Sequence, residues 1–222
     1  SLFMEADPYL QSVQSLLSLA NHFDDIRFVD FGGGFGIPYR KQDGQKRLEL
    51  AEFGKKFSEI LNDWSEKYGR KLLFRTEPGR YIVAECGVLL GRVYALKQNY
   101  NTLYAGTDLG FNVLARPVMY GSHHDIEVYR EGLPASAEEK QVVTIVGNIC
   151  ESGDIIAADR ELPRIEEGDI LGVMDAGAYG YSMASNYNNR LRPAEVLIRL
   201  DGRDELIRRR DTFEDLMGNF KI

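Results

Sequence analysis

Four stretches of this 222-residue chain bring together residue types that could do chemistry. The first is Gly32-Gly33-Gly34-Phe35-Gly36, which follows the strand-like run Arg27 to Phe31. Glycines at a strand end let backbone N–H groups approach an anion such as phosphate with no Cβ in the way. A tight turn that merely needs positive φ would use the same residues. The second is Glu77-Pro78-Gly79-Arg80, at the end of another strand-like run, Leu72 to Thr76. A carboxylate beside the ring nitrogen of a bound heterocycle would hold that nitrogen protonated and strengthen the ring as an electron sink. The planar fork of Arg80 suits a carboxylate ligand, although a surface Glu–Arg pair on a proline turn has the same sequence. The third, Gly147-Asn148-Ile149-Cys150-Glu151-Ser152-Gly153-Asp154, places a thiol among carboxylates after a strand. Cysteine commonly packs as a small hydrophobe, but Glu151, Ser152 and Asp154 make this loop polar, and a thiol there can donate a proton. The fourth is Asp175-Ala176-Gly177-Ala178-Tyr179-Gly180-Tyr181, where small residues flank a tyrosine able to reach a phosphate or substrate, or to pack on a sheet.

These loops need elements to hold them. Asp7-Pro8 reads as an N-cap and first turn, and Leu10, Val13, Leu16, Leu17 and Ala20 recur behind it at helical spacing. A second helix carries Leu50, Phe53, Phe57, Ile60, Leu61, Trp64 and Tyr68 on one stripe and stops at Gly69. Helix, strand, helix, strand at this spacing means parallel βα units. Beyond about Glu85 the texture changes to short β-branched and aromatic runs at Val88 to Leu96, Ile126 to Tyr129, Val142 to Val146, Ile170 to Met174 and Ala194 to Leu200. Asp201-Gly202 signals a hairpin, and Thr212 to Met217 a short helix. The expected fold is therefore α/β plus β, with residues 1–85 an incomplete set of parallel βα units and residues 86–222 mainly β. Two βα units cannot close a barrel, so strands from elsewhere must cover the first part.

Taken in order, the glycine loop from Phe31, Glu77-Pro78-Gly79-Arg80, Ala115-Arg116-Pro117 with Tyr120, Cys150-Glu151-Ser152-Gly153-Asp154 and Gly177-Ala178-Tyr179-Gly180 resemble the diaminopimelate decarboxylases. These are pyridoxal-phosphate-dependent enzymes of the alanine-racemase-like barrel group, and the resemblance implies that residues 1–85 are an incomplete segment of a parallel (β/α)8 barrel and residues 86–222 a mainly antiparallel β-domain. The resemblance implies that pyridoxal 5'-phosphate is held at its phosphate by Gly32, Gly33, Gly34 and the Gly79-Arg80 backbone, with Tyr179 assisting, and that Glu77 faces the pyridine nitrogen. It implies that Arg80, Arg116, Tyr120 and Tyr179 contact an amino-acid substrate, that Glu151 takes its distal amino group, and that Cys150 returns a proton to the substrate carbon. In such a homodimer Cys150 and Glu151 reach the partner's active site. The activity implied is removal of carbon dioxide from meso-2,6-diaminoheptanedioate to give L-lysine. The family's covalent lysine and ring-stacking histidine have no counterpart here: Lys97, His22, His123 and His124 stand in the wrong places. The chain is thus expected to be a C-terminal portion, inactive alone. A decarboxylase of ornithine or arginine, or a non-catalytic regulatory relative, are the rival readings.

The remaining composition narrows the partners. A net charge of -7 gives no positive field for nucleic acid, so a nucleic-acid partner is not expected. Two cysteines without paired spacing make neither a disulfide framework nor a zinc site, which fits a cytoplasmic protein. No apolar run is long enough for a membrane role.

Overall fold

A computed structural model describes residues 2–70 and 72–221. The chain divides into two compact units, Ser1–Glu85 and Cys86–Ile222.

The first unit holds α1 (Ala6–Ala20), β1 (Phe28–Asp30), α2 (Leu50–Tyr68), β2 (Leu73–Arg75) and the short α3 (Gly79–Val83). Helix α1 begins earlier than its sequence suggests: Glu5 is the N-cap, without a side-chain cap bond, and Asp7 lies in the first turn, where its charge still suits the helix dipole. The stripe read from α2 packs from Phe53 to Tyr68, whereas Leu50, at the helix's first position, stays exposed; Gly69 closes the helix in the left-handed conformation. Val13, Leu17, Val29 and Trp64 form one core, and the indole N–H of Trp64 donates to the Leu17 carbonyl at 3.1 Å. A second core of Leu10, Phe35, Leu48 and Phe53 underlies the glycine loop. β1 and β2 pair in parallel, Val29 opposite Phe74, with Phe28 and Leu73 exposed.

The second unit is built on a seven-stranded sheet. Its strands are β3 (Leu89–Asn99), β4 (Thr102–Thr107), β5 (Ile126–Arg130), β6 (Leu133–Pro134), β7 (Lys140–Val146), β8 (Ile155–Pro163) and β9 (Ile170–Val173), in the order β6-β5-β9-β3-β4-β7-β8. The sheet is mixed: β4 and β7 run parallel and the other pairs antiparallel. Val93, Leu114, Ile126, Val143, Ile145, Leu171 and Val173 form its core. Between β4 and β5 lies α4 (Arg116–Tyr120). β10 (Glu195–Ile198) and β11 (Asp204–Arg208) make the hairpin expected around Asp201-Gly202. α5 (Phe213–Met217) follows, capped reciprocally by Thr212 and Asp215.

Strands β4 and β8 carry no clear signal in the sequence. β4 is made partly of small residues, including Ala105 and Gly106, which fit between β3 and β7. β8 is an edge strand whose alternation is broken near Asp159, a left-handed residue whose N–H and carboxylate both bond the Thr144 hydroxyl where the register with β7 shifts. No helix among the described residues is long and apolar enough to cross a membrane.

Candidate functional site

In the first unit, parallel pairing of β1 and β2 sends their C-terminal loops out together. The Phe31 N–H donates to the Arg75 carbonyl at 3.0 Å, and the Glu77 N–H to the Gly32 carbonyl at 2.8 Å. A Cβ on Gly33 would lie 2.3 Å from the Glu77 carbonyl oxygen, so this glycine is required by contact between the two loops. Gly32 and Gly34 have φ of 68° and 92°. Gly79 is different. Its backbone is not left-handed, and an added Cβ would meet nothing within 4 Å, so neither strain nor packing inside the chain calls for glycine there. The open backbone beside Glu77 is the kind of cradle that a phosphate occupies. By that criterion the loops fit the phosphate end of pyridoxal phosphate.

The other groups here are firmly held. Arg80 is half-buried, and its Nη1 donates to the hydroxyl of buried Tyr39 at 3.0 Å. Beneath the glycine loop, Tyr9 donates to the Phe31 carbonyl at 3.2 Å. Burial, helped by the Asp30 charge, pushes the Tyr9 hydroxyl up to about 12, so it stays a donor. Phe3, Tyr9, Phe35, Phe53 and Phe57 make an aromatic bed, with Phe3 and Tyr9 stacked at 4.4 Å.

In the second unit, the loop from Gly147 to Asp154 is organised around one carboxylate. Asp154 is buried; its Oδ1 accepts the Phe111 N–H at 2.7 Å and its Oδ2 the Ile149 N–H at 2.8 Å. A Cβ on Gly147 would fall 2.1 Å from Oδ2, so the chain passes this carboxylate only as glycine. Cys150 and Glu151 are thereby presented, exposed, at the tip. The Cys150 Sγ accepts from Asn188 Nδ2 at 3.3 Å, and Arg190 Nη2 donates to the Asn148 carbonyl at 2.6 Å. Asn188 and Asn189 are both left-handed, with φ of 55° and 57°, a conformation asparagine tolerates better than most residues.

The same loop adjoins α4. A Cβ on Gly153 would sit 3.7 Å from Val118 Cγ1, so Cys150 and Glu151 share a neighbourhood with the helix bearing Arg116 and Tyr120. Tyr120 is 65% exposed, whereas Arg116 is only 5% exposed and lies 2.9 Å from Nε2 of His124. Tyr179 projects from a tight turn that bonds Gly87 through the Ala176 N–H at 2.8 Å. It is 40% exposed and left-handed at φ 61°, a strained conformation for a tyrosine costing about 1–3 kcal/mol.

Of the residues expected from sequence, Gly32 to Gly34 gather with Glu77 and Gly79 in one unit, with Arg80 next in chain; in the other, the loop of Cys150 and Glu151 adjoins α4, which bears Arg116 and Tyr120, and Tyr179 stands on a turn of its own. Tyr39, His124 and Asn188 belong to these clusters and are not evident from sequence. For Asn188 a signal existed in the asparagine-rich run Asn186-Tyr187-Asn188-Asn189, a composition suited to left-handed turns. Lys97 lies on β3 and His22 is exposed on the first unit.

The first unit thus offers a strand-end glycine loop beside a Glu-Pro-Gly-Arg turn, and the second an exposed thiol and carboxylate on a loop that adjoins α4. Residues 24–177 match the family described as pyridoxal-dependent decarboxylase, C-terminal sheet domain, and the chain belongs to that family. It is 43% identical over 220 residues to the diaminopimelate decarboxylase of Methanothermobacter thermautotrophicus, covering 96% of this chain and 50% of the relative. It is 40% identical over 232 residues to that of Archaeoglobus fulgidus, covering 100% and 52%. Among solved structures, the diaminopimelate decarboxylase of M. jannaschii in complex with L-lysine superposes with a TM-score of 0.87 at 34% identity, covering 100% of this chain and 50% of that one. The chain spans about half the length of the curated relatives it matches.

Proposed function

We propose that this chain supplies the C-terminal half of a cytoplasmic, homodimeric diaminopimelate decarboxylase, which removes carbon dioxide from meso-2,6-diaminoheptanedioate to give L-lysine. On this reading residues 1–85 are the closing βα units of a (β/α)8 barrel and residues 86–222 the C-terminal β-domain. Pyridoxal phosphate, when bound, supplies a conjugated ring that takes up the electron pair left as carbon dioxide departs.

The chain's own residues bind, orient and return a proton. Gly32, Gly33 and Gly34 and the Gly79-Arg80 backbone hold the phosphate, with Tyr179 assisting. Glu77 keeps the ring nitrogen protonated. Arg80, Arg116 and Tyr120 anchor the distal carboxylate of the substrate, and Glu151 its distal amino group. Cys150 delivers the proton to the substrate carbon that lost carbon dioxide.

The observation that carries this reading is the Asp154-centred loop, which presents a thiol and a carboxylate side by side at an exposed tip, where they can reach into the site of a second copy. In the homodimer one substrate uses Arg116 of one chain for its far carboxylate and a second copy's thiol and carboxylate loop for its far amino group; ornithine, with no second carboxylate, does not use Arg116. The test is decarboxylation by the enzyme with both halves present. Turnover of diaminopimelate with little of ornithine supports the proposal, whereas tight binding of ornithine with indifference to diaminopimelate contradicts it.

A further inference from the structure

Asn188 stands in the left-handed region, at φ 55° and ψ 29°, and its side chain faces the thiol of the Gly147 to Asp154 loop. Its Nδ2 is 3.3 Å from the Cys150 sulfur. Glycine takes that backbone conformation at no steric cost, so the conformation alone does not call for asparagine. The amide does something that glycine cannot: it places an N–H donor on the sulfur.

The two segments that meet here are tied together on either side of the contact. Arg190, just beyond Asn188, donates from Nη2 to the carbonyl of Asn148, just before Cys150, at 2.6 Å. Phe111 ties the other side, because its N–H donates to Asp154 Oδ1 at 2.7 Å while its ring lies 4.9 Å from that of Tyr187. Behind them the buried Asn112 brackets Ser185: the Ser185 N–H donates to the Asn112 carbonyl at 2.8 Å, and Asn112 Nδ2 donates to the Ser185 carbonyl at 3.3 Å. The amide and the sulfur are thus held against each other by contacts that involve neither group, although both lie at the surface.

We infer that Asn188 is a positioning residue for the proton donor Cys150, its amide N–H fixing the sulfur and steadying the negative charge left there. In the step itself the S–H bond breaks with its electron pair kept on sulfur, and the electron pair on the substrate carbon takes the proton. An N–H aimed at sulfur is worth more to the thiolate so formed than to the neutral thiol. The contact therefore strengthens as the proton leaves, which is the condition for an interaction that speeds a step instead of merely tightening binding. The inference rests on Cys150 being the donor.

The experiment compares Asn188→Gly, Asn188→Asp, Asn189→Gly and Cys150→Ala in the enzyme with both halves present, reading kcat and KM for diaminopimelate. Asn188→Gly keeps the left-handed backbone and removes the amide; Asn188→Asp keeps the shape and turns the donor into a negatively charged acceptor. Asn188→Gly should lower kcat about tenfold, the scale of one hydrogen bond to a charged group, and Asn188→Asp should lower it further, with KM little changed in both. Asn189→Gly, at the neighbouring left-handed position, controls for added backbone freedom and should behave as the parent; a loss there equal to that of Asn188→Gly would overturn the inference. Slow turnover in Cys150→Ala with normal kcat in both Asn188 variants would overturn the inference alone. Unchanged turnover in Cys150→Ala would overturn the donor and the inference together. Alkylation of Cys150 by iodoacetamide in this chain gives a readout that needs no turnover, with peptide mass spectrometry scoring Cys86 separately. The thiolate is the reacting form, so Asn188→Asp should be alkylated at Cys150 more slowly than the parent at neutral pH, and equal rates would refute the contact.

Discussion

The two clusters are made in different ways. In the first unit the candidate residues are mostly backbone: two parallel strand ends place Gly32 to Gly34 against Glu77 and Gly79 through main-chain hydrogen bonds. In the second, side chains do the holding, over both short and long separations: Asp154 accepts the backbone N–H groups of Phe111 and Ile149, His124 meets Arg116, and Asn188 reaches Cys150. A backbone cradle is tolerant of side-chain change except where glycine is demanded. A side-chain scaffold fails when any one buried polar partner is removed.

The largest expected effect lies in the second cluster. With both halves present, Cys150→Ala should slow turnover about 100- to 10,000-fold, the usual cost of losing a positioned general acid, with cofactor absorbance nearly intact. An unchanged rate would remove Cys150 from the reaction. Asp154→Ala should come next. It leaves two buried N–H groups without an acceptor, a loss of about 2–4 kcal/mol in unfolding free energy, readable by urea denaturation of this chain. A change under about 0.5 kcal/mol would mean that the Gly147 to Asp154 loop does not depend on its buried carboxylate.

How much of this was legible in sequence follows the same division. The glycine loop, the Glu-Pro-Gly-Arg turn, the α2 stripe and the hairpin at Asp201-Gly202 are local patterns, and local patterns can be read directly. The contacts of Cys150 and Arg116 cannot, because Asn188 lies 38 residues from Cys150, and His124, though close to Arg116 in sequence, meets it only once the chain has turned after α4. The strand β8 escapes for a related reason: its left-handed Asp159 interrupts the alternation that would have revealed it. His124 reads in sequence as a surface or packed histidine; it is packed, against the Arg116 guanidinium.

A glycine pair sharpens the comparison inside the first cluster. Gly33→Ala drives a methyl into the Glu77 carbonyl and should destabilise the chain by about 1–3 kcal/mol. Gly79→Ala meets no protein atom and should leave the chain's stability unchanged while weakening its affinity for pyridoxal phosphate, measured by fluorescence titration. Equal stability losses would mean that Gly79 is structural after all.

The smallest effect is on acid stability, and each region has its own latch. Hydrogen bonding to Arg47, reinforced by Lys41, lowers Glu85 to about 2, and hydrogen bonding to Arg192, reinforced by Asn186, lowers Asp211 to about 2. Both lie below their ordinary values of 4.5 and 3.8, so the stabilisation is full above those values and is lost as pH falls from about 4.5 towards 2. With part of each pair in solvent, about 1 kcal/mol or less is expected from each. Glu85→Gln and Asp211→Asn should each flatten the fall in unfolding free energy between pH 5 and about pH 2.5. An identical slope in a variant would show its latch to be idle.

On the proposed function, this chain carries phosphate and substrate residues of a pyridoxal-dependent decarboxylase, and no lysine of it holds the cofactor covalently. The most direct measurement is to mix the purified chain with pyridoxal phosphate, reduce with borohydride and weigh the product by intact mass spectrometry. The account predicts no stoichiometric adduct and, at most, substoichiometric labelling scattered over several lysines. Stoichiometric trapping on a single lysine of this chain would contradict it and place the catalytic centre elsewhere.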